Sequence, residues 1–145
     1  MPYQGAPLLS GMAAARTGCD LVHVAMPEQA SSRTKLLPSL IPEALPDSEF
    51  LTLDSVGSLS SFIESGRSPD AIVIGPGIGR EEDSMEAVRR VISISVSKSI
   101  PLVIDADAIS ALPDGGWPHR LIGVATPHST EADRALCGET PTKLM

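Results

Sequence analysis

Three short stretches of this sequence carry residue types suited to holding a ligand: Gly75-Pro76-Gly77-Ile78-Gly79, Asp105-Ala106-Asp107, and Thr126-Pro127-His128 with Glu131 three residues on. In the first, Gly75, Gly77 and Gly79 remove every second side chain, so backbone amides can approach a bound group closely. A helix following such a loop adds a field that favours phosphate or another anion. The same glycines also suit a tight strand-to-helix turn, and the spacing is neither GxGxxG nor a P-loop ending in GK[ST]. In the second stretch, Asp105 and Asp107 stand two positions apart and share one face if the strand persists. A divalent cation or a polar ligand fits between such carboxylates; the competing use is a helix N-cap. No glycine follows at the position a calcium loop requires.

His128 can donate or accept a hydrogen bond near neutral pH and is read as a ligand contact. Glu131 falls in the first turn of a following helix, where capping backbone amides is the simpler role and reaching into a cleft the other. Arg80 could lend charge to the anion site, but beside Glu81 and Glu82 it reads as a solvated residue of a first helical turn. His23 reads as a strand-face residue and His119 as a loop residue, neither with a partner in view.

Each of the three stretches directly follows a short aliphatic run: Ala71–Ile74, Leu102–Ile104 and Ile122–Ala125. These predict strands. A helix carrying Met85, Val88, Val91, Ile92 and Val96 follows the first, a short helix through Leu112 the second, and a helix from Ser129 to Leu136, closed by Gly138, the third. Upstream, Gly5 to Gly18 reads as a helix with Pro7 near its start, and Asp20 to Met26 as a strand closed by Pro27. Residues 27–49, broken by Pro38, Pro42 and Pro46, show no clear pattern. Phe50 to Leu53 reads as a strand and Val56 to Ile63 as an amphipathic helix ended by Gly66. Strands alternating with helices predict an α/β fold around a mostly parallel sheet. In such sheets ligands gather outside the C-terminal strand ends, where all three turns fall.

At 145 residues, 42% hydrophobic and 20% charged, the chain fits one domain that buries about two-thirds of its unfolded surface. Aromatics are 3%, so the core is aliphatic and recognition by stacked aromatics is disfavoured. A net charge of −7 without a basic stripe argues against duplex nucleic acid and anionic membrane as partners. Cys19 and Cys137 form no CxxC or zinc spacing, and no apolar segment is long enough to span a bilayer. With no signal-peptide pattern, a soluble cytoplasmic protein is expected. Absent GxSxG, HExxH and useful Cys/His pairs exclude triad and zinc hydrolysis.

In combination the motifs say more. Tyr3-Gln4-Gly5-Ala6-Pro7-Leu8-Leu9-Ser10, Thr17-Gly18-Cys19-Asp20-Leu21-Val22, Ile74 to Arg80, Pro101 to Ala108, and Thr126 to Glu131 occur in the order found in ADP/ATP-dependent NAD(P)H-hydrate dehydratases, which the chain resembles over nearly its whole length. The resemblance implies a ribokinase-like three-layer α/β/α fold. It also implies repair of the hydrated nicotinamide nucleotides NADHX and NADPHX to NADH and NADPH, with ADP or ATP as co-substrate and Mg²⁺ as cofactor. Phosphorylating the ring hydroxyl would create a good leaving group. By matching positions, Ala6, the Gly75/Gly77/Gly79 set and His128 would bind the hydrated nucleotide. Asp105 and Asp107 would supply cleft polarity or organise metal and water, with Glu131 beside them.

Family members also carry a lysine-glycine stretch for the adenine nucleotide and a GxGD segment whose Asp serves as base, and neither occurs in these residues. The expectation is therefore a partial ribokinase-like domain spanning residues 1–145, shortened at both ends, corresponding to the substrate side. Its catalytic base is absent and little turnover is expected from the chain alone. Apolar sheet edge is expected to be exposed, inviting a homo-oligomer or a complementary chain. The alternatives are a ribokinase-like kinase of a small alcohol and a non-catalytic binding subunit.

Overall fold

The computed structural model describes residues 5–46, 49–64, 66, 68–113 and 117–132. Its elements run α1 (Gly5–Arg16), β1 (His23–Pro27), α2 (Glu28–Ser31), β2 (Ile41–Leu45), α3 (Leu53–Glu64), β3 (Ile72–Ile74), α4 (Glu82–Lys98), β4 (Leu102–Ile104), a 3-10 turn (Ala106–Ala111) and β5 (Gly123–Ala125). All strand pairings are parallel, as strand–helix alternation predicts. The strands form two sheets rather than one, β1–β2 and β3–β4–β5.

α1 ends where the sequence places its stop. The Gly18 amide bonds the Ala15 carbonyl at 3.4 Å, and Gly18 adopts φ +96°, a conformation that costs glycine little. Leu8, Met12 and Ala15 of α1 pack on Val24, Met26 and Leu40. Gly11 allows this approach, since a Cβ there would lie 2.9 Å from Val24 Cγ2.

One expectation is corrected here, and one stretch without a clear pattern is resolved. Phe50 to Leu53 is not a strand but the approach to α3. The Ser55 amide bonds Thr52 Oγ1 at 3.4 Å while the Thr52 amide bonds Ser55 Oγ at 3.3 Å, so Thr-x-x-Ser forms a reciprocal helix cap. The strand β2 lies instead in the proline-rich stretch. Ile41 donates to the Val22 carbonyl at 2.9 Å, so alternate amides face β1 and the position of Pro42 faces away, where a missing N–H loses nothing.

The main core lies between the sheets and α3, α4 and the 3-10 turn. Val56, Met85, Val88, Val91 and Ile92 meet Leu45, Ile74, Leu102, Ile104 and Ile109 there. α4 has Glu82 and Asp83 in its first turn and Lys98 in its last, charges that complement its dipole. Ser99 in the left-handed region closes it, with the Ile100 amide reaching the Ser95 carbonyl at 2.9 Å. Buried Ser84 Oγ donates to the Leu51 carbonyl at 3.1 Å, tying α4 to the start of α3. The third predicted helix is described only through residue 132; its remainder, with Cys137 and Gly138, lies outside the described residues, as do Tyr3 and Gln4.

Candidate functional site at the strand ends

The backbone ladder continues past the strands and sets the three turns side by side. The Asp105 amide bonds the Ile74 carbonyl at 3.0 Å, and the Thr126 amide bonds the Ile104 carbonyl at 3.1 Å. Gly75, at φ +126°, shows how closely they pack. A Cβ there would collide with the Asp105 carbonyl oxygen and lie 2.9 Å from the Ala108 methyl. The missing side chain at Gly75 is thus required by the junction of two turns. Within the loop the Ile78 amide returns to the Gly75 carbonyl at 3.2 Å, and Gly77 and Gly79 also take positive φ, +76° and +89°.

Side chains then join the turns. Asp107 accepts the Gly79 amide on Oδ2 at 3.1 Å and Arg80 Nε on Oδ1 at 3.0 Å. Arg80 Nη2 also lies 3.8 Å from Glu131 Oε1, and the same oxygen lies 3.4 Å from His128 Nε2. Glu131 Oε2 accepts the His128 backbone amide at 3.2 Å, so this carboxylate caps its turn while facing two basic side chains. Asp105 Oδ1 accepts the Thr126 hydroxyl at 2.7 Å. Neither aspartate side chain caps the 3-10 turn that follows β4.

Arg80 is half exposed, as the solvated reading expects, but it is not without partners. Arg80 precedes α4, and it bridges the turns after β4 and β5 through two carboxylates whose side chains are only 19% and 11% exposed. His23 is likewise not partnerless, with Nδ1 at 2.8 Å from Glu43 Oε1 and its ring tilted against Phe62.

The structure therefore brings together Gly75, Gly77, Gly79, Asp105, Asp107, His128 and Glu131. Ala6 it places in the first turn of α1, on the helix that packs against β1 and β2. Sequence reasoning named Arg80 and Thr126 but did not foresee their bonds to Asp107 and Asp105 across the turns. The available signal for Arg80 was a lone cation immediately after the glycine turn.

Chemically, the cluster offers an exposed imidazole beside carboxylates and a guanidinium, a set able to hydrogen-bond an amide, hydroxyl or phosphate group. Among the described residues, no group of three His, Cys, Asp or Glu side chains could hold a metal ion. Asp107 accepts two protein donors and Asp105 one, and with no third such ligand grouped beside them among the described residues these carboxylates do not form a cation cage.

The parallel α/β architecture, with glycine, acidic and histidine turns aligned at the strand ends, is consistent with the ribokinase-like class to which the family match assigns the fold. Within that class the chain belongs to the NAD(P)H-hydrate dehydratase family, which matches residues 1–143. It is 37% identical over 131 residues to the bifunctional NAD(P)H-hydrate repair enzyme Nnr of Hyperthermus butylicus, covering 89% of this chain and 24% of that protein. To the enzyme of the same name from Pyrobaculum aerophilum it is 37% identical over 147 residues, covering 100% of this chain and 28% of the relative. The ATP-dependent (S)-NAD(P)H-hydrate dehydratase of Drosophila melanogaster is 30% identical over 144 residues, covering 96% and 45%. The chain thus spans from 24% to 45% of the length of these relatives.

Proposed function

We propose that the strand-end cluster is the hydrated-nucleotide side of an ADP- or ATP-dependent NAD(P)H-hydrate dehydratase, acting in repair of NADHX and NADPHX. The observation that supports this best is the joining of the three turns, with Asp107 hydrogen-bonded to Gly79 and Arg80, and Glu131 hydrogen-bonded to the His128 amide with Arg80 3.8 Å away, within a chain of that family. In this reading Ala6, the Gly75/Gly77/Gly79 loop and His128 contact the hydrated nucleotide, while Asp105, Asp107 and Glu131 hold the turns in position. His128, with its side chain 67% exposed beside Glu131, is the group placed to meet a ligand.

Phosphoryl transfer needs a positioned base and an adenine-nucleotide site. The GxGD and lysine-glycine segments that supply these in the family do not occur in these 145 residues. The 145-residue polypeptide accordingly binds the hydrate but turns it over little, unless a complementary segment or chain supplies the base. Asp105 and Asp107 as arranged would not hold Mg²⁺, and no metal-binding role is assigned to them. No described helix is long and apolar enough to cross a membrane, and the reading places the protein in the cytoplasm with its soluble substrates.

The test is to mix the folded chain with the hydrate of NADPH, first alone by calorimetry and then with ATP or ADP and Mg²⁺ while NADPH absorbance is followed. Saturable binding with a nearly flat absorbance trace is the expected result. Folded protein that binds no hydrate contradicts the proposal, and phosphorylation of a small alcohol instead would move the assignment to a kinase.

A further inference from the structure

Arg80 stands where one side chain touches the turns after two other strands, and nothing in its immediate sequence demands that. Its guanidinium is the link in a chain of contacts, Asp107–Arg80–Glu131–His128, that runs from the end of β4 to the end of β5 by way of the loop after β3. Asp107 grips two consecutive residues, the Gly79 amide and the Arg80 side chain, and so fixes the direction in which Arg80 leaves the loop. Glu131 accepts the His128 amide on one oxygen, and its other oxygen lies between Arg80 Nη2 at 3.8 Å and the His128 ring at 3.4 Å. An arginine suits this place because its planar fork can address two carboxylates at fixed angles, which a lysine cannot.

We infer that Arg80 is a positioning residue that sets the His128 imidazole through Glu131. With Arg80 removed, Asp107 and Glu131 face the cleft without their shared counter-charge. Glu131 then pairs with whichever donor is nearest, and the His128 ring loses its fixed partner geometry. The inference rests on the dehydratase reading for its ligand, but not for the contact chain itself.

Two readouts keep these separate. In ligand-free protein, the His128 ring carbon-bound proton should shift or broaden in an NMR spectrum of Arg80→Met. The His23 ring, bonded to Glu43 on the other sheet, should stay in place and report an intact fold. With the hydrate of NADPH as probe, Arg80→Met should weaken binding on the order of tenfold, as expected for one charged hydrogen bond. The same change in a His128→Ala background should matter less than about twofold, because residues acting through one contact are not additive. Arg80→Lys, which keeps the charge and loses the fork, should fall between and covers the case in which Arg80→Met does not fold. An unmoved His128 signal, or full additivity in the double variant, overturns the inference. If the parent chain binds no hydrate, the functional reading falls, and the ring signal alone decides whether Arg80 positions His128.

Discussion

The two faces of the β3–β4–β5 sheet are built from the same aliphatic residues yet meet different surroundings. On one face Leu102 and Ile104 are fully buried and Ile74 nearly so, under α4 and the 3-10 turn. On the other, Val73, Val103 and Val124 stand in one row by strand register, and Val73 and Val124 are 52% and 51% exposed. Runs such as Ile72-Val73-Ile74 are what parallel strands covered on both sides look like, so the sequence pattern alone predicts burial of both faces. Within this sheet the packing energy therefore comes from the covered face, while the strand-end site depends on the hydrogen-bond ladder that both faces share.

The strongest way to break this comparison is to truncate the covered face. Ile104→Ala, at a fully buried position, should cost about 3–4 kcal/mol in urea unfolding, from lost transfer energy and the cavity left behind. At the junction of sheet and site, Gly75→Ala combines an unfavourable positive φ with a collision against the Asp105 carbonyl. It should cost about 2–3 kcal/mol by the same measurement and loosen the three turns together. Smallest of all, Val124→Thr on the open face should change stability by no more than about 0.5 kcal/mol. A loss at Val124 comparable to that at Ile104 would mean that the open face is covered in solution.

How much was legible in advance follows the range of the interactions. β3, α4 and β4 could be placed from local patterns, because aliphatic runs and helical periodicity are visible within a few residues of themselves. β2 was hidden because Pro42 looks like a breaker until the direction of its missing N–H is known, which depends on pairing with β1. Phe50 to Leu53 was misread because a hydrophobic residue next to Thr52 resembles a strand, whereas the Thr52–Ser55 cap turns the chain into α3. At the site, the glycine, aspartate and histidine turns were recognisable from residue type and position. The role of Arg80 was not, since its partner Asp107 lies 27 residues away and only the sheet brings them together. Gly75 carries a similar lesson: its residue type suggested a ligand cradle, while its neighbour in space, Asp105, already requires glycine there.

The central claim is that the turns ending β3, β4 and β5 present His128 to a hydrated nicotinamide nucleotide. The equilibrium dissociation constant for the hydrate of NADPH, measured on the parent chain and on His128→Ala, tests it most directly. Because the imidazole is exposed and its loss leaves the core untouched, the account predicts about tenfold weaker binding at an unchanged melting temperature. An unchanged dissociation constant in a folded variant would contradict it.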